Sequence, residues 1–222
     1  MRIDVVSDVI CPWCFIGKRR LAAALTQRPE VEAEILWHPF QLNPDMPPEG
    51  MARERYIAAK FGGGQHAGRI YQNVTDVGAT VGIPFHFERI QVTPNTRDAH
   101  RLIRRASEAG DADAVVEALF NAYFITGRNI GERETLAEIA EEAGLDGEAT
   151  ARFLASPEGA EEVLAEDMSA RRIGINAVPC FIFDRKYVVS GAQEPEFFYP
   201  LFDLLKNEQT GGAESARPVT AL

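Results

Sequence analysis

Two cysteines separated by two residues are the part of this sequence best suited to chemistry. Cys11 and Cys14 stand in the segment Cys-Pro-Trp-Cys, directly after a Val- and Ile-rich run that predicts a buried strand. Pro12 fits the first position of a helix, where its missing N–H costs nothing, so Cys11 is expected near the N-cap. Unpaired backbone N–H groups and the positive end of the helix dipole there favour the thiolate form of Cys11.

This spacing predicts a two-thiol reaction. Cys14 lies within one helical turn of Cys11 and on the same face, so the two sulfurs can close a small disulfide ring. Cys11 would attack a substrate disulfide, and Cys14 would then attack Cys11 and release the reduced substrate. Run in reverse, the oxidised pair oxidises a substrate dithiol, and no bound cofactor is needed. Trp13 offers the thiolate no positive charge, so a milder oxidant is expected than with histidine at that position.

Half of a zinc site is one alternative interpretation of the cysteine pair, and a chance spacing of inert cysteines is another. A complete zinc site needs two more ligands. The four histidines show no His-x3-His spacing, and Cys180 is the only further thiol in the sequence. No metal site is therefore expected, and three cysteines are too few for a disulfide framework.

A second candidate segment reads Ile-Asn-Ala-Val-Pro-Cys-Phe and ends at Phe181. Pro179 directly precedes an apolar strand there, which is consistent with a cis peptide bond in a tight turn as well as with an ordinary trans bond. Cys180 is interpreted either as a small buried hydrophobic residue or as a third redox or metal-binding thiol. Asp8, close to Cys11 in sequence, either ends its strand or accepts the proton of Cys14.

The hydrophobic pattern places these residues in an α/β chain. Strands are predicted at 2–9, 31–40, 179–183 and 187–190, with a helix after the first strand and a closing helix at 194–207. The block between the second and third strands is almost purely helical. Its predicted helices are 51–61, 65–81, 97–109, 111–126, 133–143, 147–155 and 158–172. Removing this block, apart from its last helix, leaves a βαβ…αββα order around the thiol pair.

The chain resembles the thioredoxin superfamily, and within it the DsbA-like, FrnE-like oxidoreductases. The blocks that carry the resemblance are 7–20, 37–44, 95–102, 119–124 and 178–193. The resemblance implies a thioredoxin fold with a large all-helical insertion domain. We expect thioredoxin-fold parts at 1–47 and 160–209 and the helical domain at 48–159. The polar, glycine-containing segment 210–222 is expected to be a disordered tail.

The same resemblance implies roles for single residues. Cys11 would be the nucleophile, Cys14 the resolving cysteine, and Pro179 a cis-proline that faces the pair. The Val178 backbone would hydrogen-bond an extended substrate by strand addition. The other expected substrate-binding residues are Pro12, Trp13 and His100. His100 lies in the helical insertion, where a packed or surface histidine is the alternative.

Together these inferences predict a thiol–disulfide oxidoreductase that acts on disulfide- or dithiol-containing proteins or on small thiols, with glutathione as one candidate substrate. The sequence holds 23 Lys and Arg against 33 Asp and Glu, and its net charge of −10 argues against nucleic acid or an anionic membrane as partner. No apolar run approaches the roughly 18–20 residues of a membrane span, and the N-terminus does not resemble a signal peptide. A cytoplasmic protein is expected, with a homodimer left open.

Two other functions fit the same layout. The kappa-class glutathione transferases and the 2-hydroxychromene-2-carboxylate isomerases share the inserted helical domain, but they use glutathione with a single Ser or Cys at the first position. A redox-linked chaperone is the other alternative, because a groove beside a reactive pair could hold unfolded chains. The presence of two cysteines favours redox cycling over the glutathione-dependent isomerisation.

Overall fold

The computed structural model describes residues 1–62 and 64–209, so the tail predicted at 210–222 lies outside the described residues. The strands are β1 (Arg2–Ser7), β2 (Glu34–Pro39), β3 (Met51–Ala52), β4 (Val92–Thr93), β5 (Cys180–Phe183) and β6 (Tyr187–Ser190). The helices are α1 (Pro12–Thr26), α2 (Arg53–Phe61), α3 (Gly64–Thr80), α4 (Arg97–Ala109), α5 (Ala112–Asn121), α6 (Arg133–Glu142), α7 (Gly147–Ala155), α8 (Ala160–Arg172) and α9 (Tyr199–Gln209).

The main sheet has the strand order β2-β1-β5-β6, with β1 parallel to β2 and antiparallel to β5. Because β1 lies inside the sheet and is covered on both faces, its sequence is a Val- and Ile-rich run. On one face, the rings of Phe181 and Phe183 pack against Phe198, with centroids 5.6 and 5.9 Å away. On the other face, Val6 packs with Ala170 of α8. The predicted α/β class and thioredoxin order of elements are confirmed.

The helical insertion follows the predicted segments, with two differences. β3 and β4 form a short antiparallel pair that the sequence does not reveal, because two residues are too few for an alternating pattern. The helix predicted at 111–126 ends as an α-helix at Asn121 and continues as a π-helical turn over Ala122–Thr126. Gly127 closes that turn at φ 76°, where an added Cβ would lie 2.5 Å from the Arg89 carbonyl oxygen. Within the described ranges, no helix has the length and apolar character needed to cross a membrane.

A ring cluster joins α1 to the inserted helices. The Phe15 ring of α1 stacks on Phe120 of α5 at 4.9 Å between centroids and meets the edge of Phe85 at 6.1 Å. Phe85 in turn contacts Phe124 at 5.3 Å. The helix that begins directly after Cys11 and carries Cys14 is therefore fixed by the insertion on one side and by the sheet on the other.

A buried arginine joins three parts of the insertion. Arg101 on α4 is 2% exposed, and its guanidinium pairs with Asp98 at 2.8 Å. The remaining N–H groups donate to backbone carbonyls at and after the end of α7, namely those of Phe153, Leu154, Ser156 and Glu158. The last carbonyls of a helix lack intrahelical donors, and Arg101 donates to them here; the Phe153 carbonyl also accepts the Ser156 backbone N–H over 3.0 Å.

Candidate active site

Cys11 is the N-cap residue of α1 and Pro12 is the first helical residue, which confirms the predicted placement. A turn after β1 brings Cys11 to this position, and its backbone N–H donates to the Asp8 carbonyl over 3.0 Å. Cys11 is 5% exposed. Its sulfur therefore lies at the N-terminal end of α1, which is the positive end of the helix dipole.

The Val178–Pro179 peptide bond is cis, as one of the two sequence interpretations expects. The loop that contains it lies against the start of α1, and the Cys11 thiol donates to the Val178 carbonyl with 3.6 Å between sulfur and oxygen. Pro179 is buried, whereas Val178, Pro12 and Trp13 are partly exposed. The structure thus brings the segment around Pro179 to Cys11 across 167 residues of sequence.

Gly17 on α1 makes this close approach geometrically feasible. A Cβ at position 17 would lie 2.9 Å from Pro179 Cγ and 3.1 Å from the Phe181 ring. Distances this short force neighbouring groups to move, so only a glycine lets the proline loop pack directly on the helix.

Replacing Gly17 with Ala is expected to destabilise the fold by about 1–3 kcal/mol, because the added methyl overpacks the contact with Pro179. Gly68→Ala on α3 is the matched control, since a Cβ there would meet nothing within 4 Å. That variant should be neutral or more stable by up to about 1 kcal/mol, the usual gain of Ala over Gly in a helix. Urea denaturation compares the two, and equal stability of both variants would contradict the packing argument.

Cys14 differs from Cys11 in its surroundings. It is 1% exposed, and its backbone N–H donates to the Cys11 carbonyl over 3.0 Å. Burial raises the pKa of the Cys14 thiol well above its usual range, and the neighbouring Cys11 sulfur raises it further. The Ser7 hydroxyl and the Asp8 backbone lie beside this thiol and partly oppose the rise. The Cys14 thiol therefore requires a proton acceptor to become a thiolate near neutral pH.

Asp8 is fully buried and its carboxylate is held from two sides. One oxygen accepts the Leu42 backbone N–H over 2.7 Å, and the other lies 3.3 Å from Nε2 of His100. His100 is itself only 4% exposed. The structure therefore places His100 against Asp8, at the end of β1, while its predicted contact with substrate stays a prediction. No periodicity in the sequence could have paired two residues that are 92 positions apart.

Cys180 lies on the opposite face of the sheet from Phe181 and packs among Val6, Phe40 and Ile175. It is 2% exposed, and burial raises the pKa of its thiol. These surroundings are those of a small buried hydrophobic residue. Among the residues that the structure describes, no three His, Cys, Asp or Glu side chains group closely enough to hold a metal ion.

A family model described as a DSBA-like thioredoxin domain matches residues 2–202 of this chain. The crystal structure of a probable DsbA oxidoreductase, SCO1869 from Streptomyces coelicolor, is 31% identical in sequence. The match covers 100% of this chain and 94% of that one, with a TM-score of 0.82.

Two more distant structures share the fold. One is a 2-hydroxychromene-2-carboxylate isomerase, 17% identical, with a TM-score of 0.72 over 95% of this chain and 98% of the isomerase. The other is the cytosolic disulfide reductase DsbM from Pseudomonas aeruginosa with GSH, 19% identical, with a TM-score of 0.63 over 95% of this chain and 100% of the reductase. At these identities the likeness extends to the fold alone.

Proposed function

The chain belongs to the DSBA-like thioredoxin domain family, and we propose that it is a thiol–disulfide oxidoreductase that works through Cys11 and Cys14. The observation that carries this proposal is the position of Cys11 as N-cap of α1 beside Cys14, with the Val178 carbonyl 3.6 Å from its sulfur. That arrangement combines a thiol at a helix N-terminus, a second thiol within one turn and a backbone edge for substrate. The predicted FrnE-like subgroup stays a prediction.

The reaction proceeds by two exchanges. The Cys11 thiolate attacks a substrate disulfide, forms a mixed disulfide and expels the first substrate sulfur as a thiolate. Cys14 then attacks Cys11, so the Cys11–Cys14 disulfide forms and the second substrate sulfur leaves. The substrate gains the two electrons that the cysteine pair loses. Reversal of both steps oxidises a substrate dithiol, and none of them needs a bound cofactor.

The surroundings of Cys11 suggest how substrate binds. Val178 and Trp13 are partly exposed on either side of the buried sulfur, together with Pro12. When substrate arrives, the Val178 backbone can pair with an extended strand next to the reacting sulfur. This mode suits a peptide disulfide and also a small peptide thiol such as glutathione, which is present in the structure of DsbM.

The decisive experiment equilibrates the protein with glutathione redox buffers and counts free thiols by alkylation and mass measurement. If the proposal holds, Cys11 and Cys14 lose two protons and two electrons together, and a single potential describes the pair. Saturable glutathione binding without oxidation would instead support the isomerase or transferase alternative. Suppression of aggregation that survives loss of both cysteines would support the chaperone alternative.

Replacing Trp13 with His is expected to raise the potential of the pair, because a protonated imidazole can stabilise the Cys11 thiolate and so the reduced form. The native pair should be a milder oxidant, with a potential below the approximately −120 mV of the strongest dithiol oxidants. Titration against glutathione measures both proteins. A native potential at or above that value, or an unchanged potential in the variant, would contradict this role of Trp13.

The proposed compartment is the cytoplasm, where a reducing environment keeps cysteines as thiols and a dithiol pair turns over as a catalyst. Cys11, Cys14 and Cys180 are all free thiols in the structure. The predicted homodimer and the absence of a nucleic-acid partner stay predictions, and sedimentation tests the first of them directly.

A further inference from the structure

The start of α2 holds a positive charge that has no acidic partner. Arg53 is the first residue of α2 and is half-buried. Its guanidinium lies 4.9 Å from the ring centre of Tyr71 and 5.9 Å from that of Tyr56. The Nε–H of Arg53 is buried and donates to none of the described residues. No carboxylate in the described part of the chain pairs with this guanidinium either.

The more deeply buried arginines of this chain are compensated differently. Arg20 and Arg101 each pair with a carboxylate. A ring face attracts the charge of Arg53, but it supplies no acceptor oxygen for the N–H groups. Burial raises the pKa of the Tyr71 phenol, so this neighbour stays neutral at pH 7 and adds no compensating charge. A buried donor on a charged group is costly without an acceptor, which indicates that an anion belongs here.

Further donors surround the same phenol. Tyr56 and Lys60 follow Arg53 at three and seven positions, which puts all three on one face of α2. The Lys60 ammonium donates to the Tyr56 hydroxyl over 2.6 Å and lies 5.1 Å from the centre of its ring. The Tyr56 hydroxyl donates to Oδ1 of Asn43 over 3.3 Å, while the buried Nδ2 of Asn43 has no acceptor among the described residues. We call Asn43, Arg53, Tyr56 and Lys60 the α2 basic cluster.

The α2 basic cluster is connected to the reactive end of α1. Asn43 follows Leu42, whose backbone N–H donates to the Asp8 carboxylate over 2.7 Å. The Asp8 carbonyl in turn accepts the Cys11 backbone N–H over 3.0 Å. Two hydrogen bonds and one peptide link therefore join Asn43 to Cys11, so the cluster is a neighbour of the proposed substrate site.

We propose that the α2 basic cluster binds the carboxylate of the substrate, so that this protein prefers small disulfides that carry a carboxylate. The Arg53 guanidinium offers N–H donors in a planar fork that matches a carboxylate, and Lys60 adds a second positive charge. The inference rests on the proposed two-thiol function and names the class of substrate. Because the net charge of −10 disfavours anionic substrates, a local positive site is needed to attract them.

The carboxylate itself takes no part in the exchange. The Cys11 thiolate attacks one sulfur of the bound disulfide, and a new S–S bond forms while the substrate S–S bond breaks. The electron pair of the broken bond leaves with the other substrate sulfur as a thiolate. The half that stays bound to Cys11 is released later, when Cys14 displaces it.

Two aromatic disulfides test this preference. The reagent 5,5′-dithiobis(2-nitrobenzoate) carries a carboxylate on each ring, whereas 4,4′-dithiodipyridine is uncharged at neutral pH. Each releases a thiol that absorbs light when it captures Cys11. Arg53→Gln should slow capture by the carboxylate reagent about tenfold, the scale of one lost hydrogen bond to a charged group. The rate with the uncharged reagent should stay unchanged.

Matched variants separate the site from the overall charge. Arg55→Gln removes the same charge from an exposed position on the same helix and should leave both rates unchanged. Lys60→Gln, also at an exposed position, should slow the carboxylate reagent by about two- to fivefold, in line with exposed charged pairs. If Arg53→Gln does not fold, the Lys60 variant and the titration of the native protein decide the question.

The titration measures binding without exchange. Benzoate added to reduced, ¹⁵N-labelled native protein should shift the Nε–H resonance of Arg53, and benzamide, its uncharged analogue, should not. Inorganic phosphate distinguishes a free oxyanion from a carboxylate carried by substrate. Tighter binding of phosphate than of benzoate would overturn the assignment to a substrate carboxylate.

Three other results would also overturn the carboxylate site. They are equal slowing of both reagents in Arg53→Gln, an equal loss in Arg55→Gln, and an Arg53 resonance that benzoate does not move. Failure of the underlying two-thiol function is recognised separately. In that case benzoate still shifts the Arg53 resonance, but neither reagent releases a thiol from the native protein.

Discussion

Replacing Cys14 with Ser is expected to stop turnover while Cys11 still captures substrate. The hydroxyl cannot displace the Cys11 sulfur from a mixed disulfide, so the covalent complex accumulates. Disulfide exchange with a protein substrate such as insulin should fall by about 10³-fold or more, the scale of losing one member of a catalytic group that acts as a unit. Intact mass should then show one substrate bound per chain, and reductant should release it.

Two further variants test whether the trapped complex is formed through the Cys11 sulfur. Cys11→Ser should neither turn over nor trap substrate, because the remaining thiols are 1–2% exposed. Cys180→Ala should keep full exchange activity, because that thiol packs on the other face of the sheet. Turnover of Cys14→Ser at the native rate, or a trapped complex in Cys11→Ser, would contradict the assignment of the two sulfurs.

Replacing Arg101 with Leu is expected to destabilise the protein by about 3–5 kcal/mol, as found when one partner of a buried charged pair is removed. The loss leaves Asp98 with Arg133 as its charged partner and takes one donor from each of four backbone carbonyls near the end of α7, of which Phe153 keeps the bond from the Ser156 N–H. Buried carbonyls that lose their hydrogen bonds carry the full cost of their desolvation. Urea denaturation followed by circular dichroism measures the effect.

The matched control for Arg101 is Arg105→Leu. Arg101 and Arg105 both belong to α4, and both guanidinium groups lie 4.9 Å from the ring centre of Phe153 on α7. Arg105 differs in being only half-buried. The Arg105 variant should lose less than about 1 kcal/mol, in line with exposed charged groups. Similar losses in the two variants would show that the ring contact, and not the set of carbonyls, makes Arg101 important.

The elements with the strongest periodicity are predictable from the sequence. The apolar run before Cys11 gives β1, and the spacing of apolar residues in the insertion gives its helices within a few residues. Pro12 directly after Cys11 also gives the start of α1 correctly. These features are local, so each can be inferred from a short window of sequence.

The alternation of side chains along β5 makes the environment of Cys180 predictable from the sequence. Side chains alternate between the two faces of a strand, and Phe181 and Phe183 both face the ring cluster with Phe198. Cys180 must then face the other way, so the sequence favours burial over membership of the thiol pair. The Asp8–His100 contact has no such pattern, because it depends on how α4 crosses the end of β1.

The ring cluster around Phe15 has a consequence for how the molecule unfolds. One continuous set of buried side chains includes residues of the sheet, of α1 and of the inserted helices. Cutting out the insertion would expose the aromatic surface of α1 to water and remove a large part of the buried contacts of that helix. We therefore expect the sheet region and the inserted helices to unfold together in one cooperative transition. A calorimetric scan should then contain one peak rather than two.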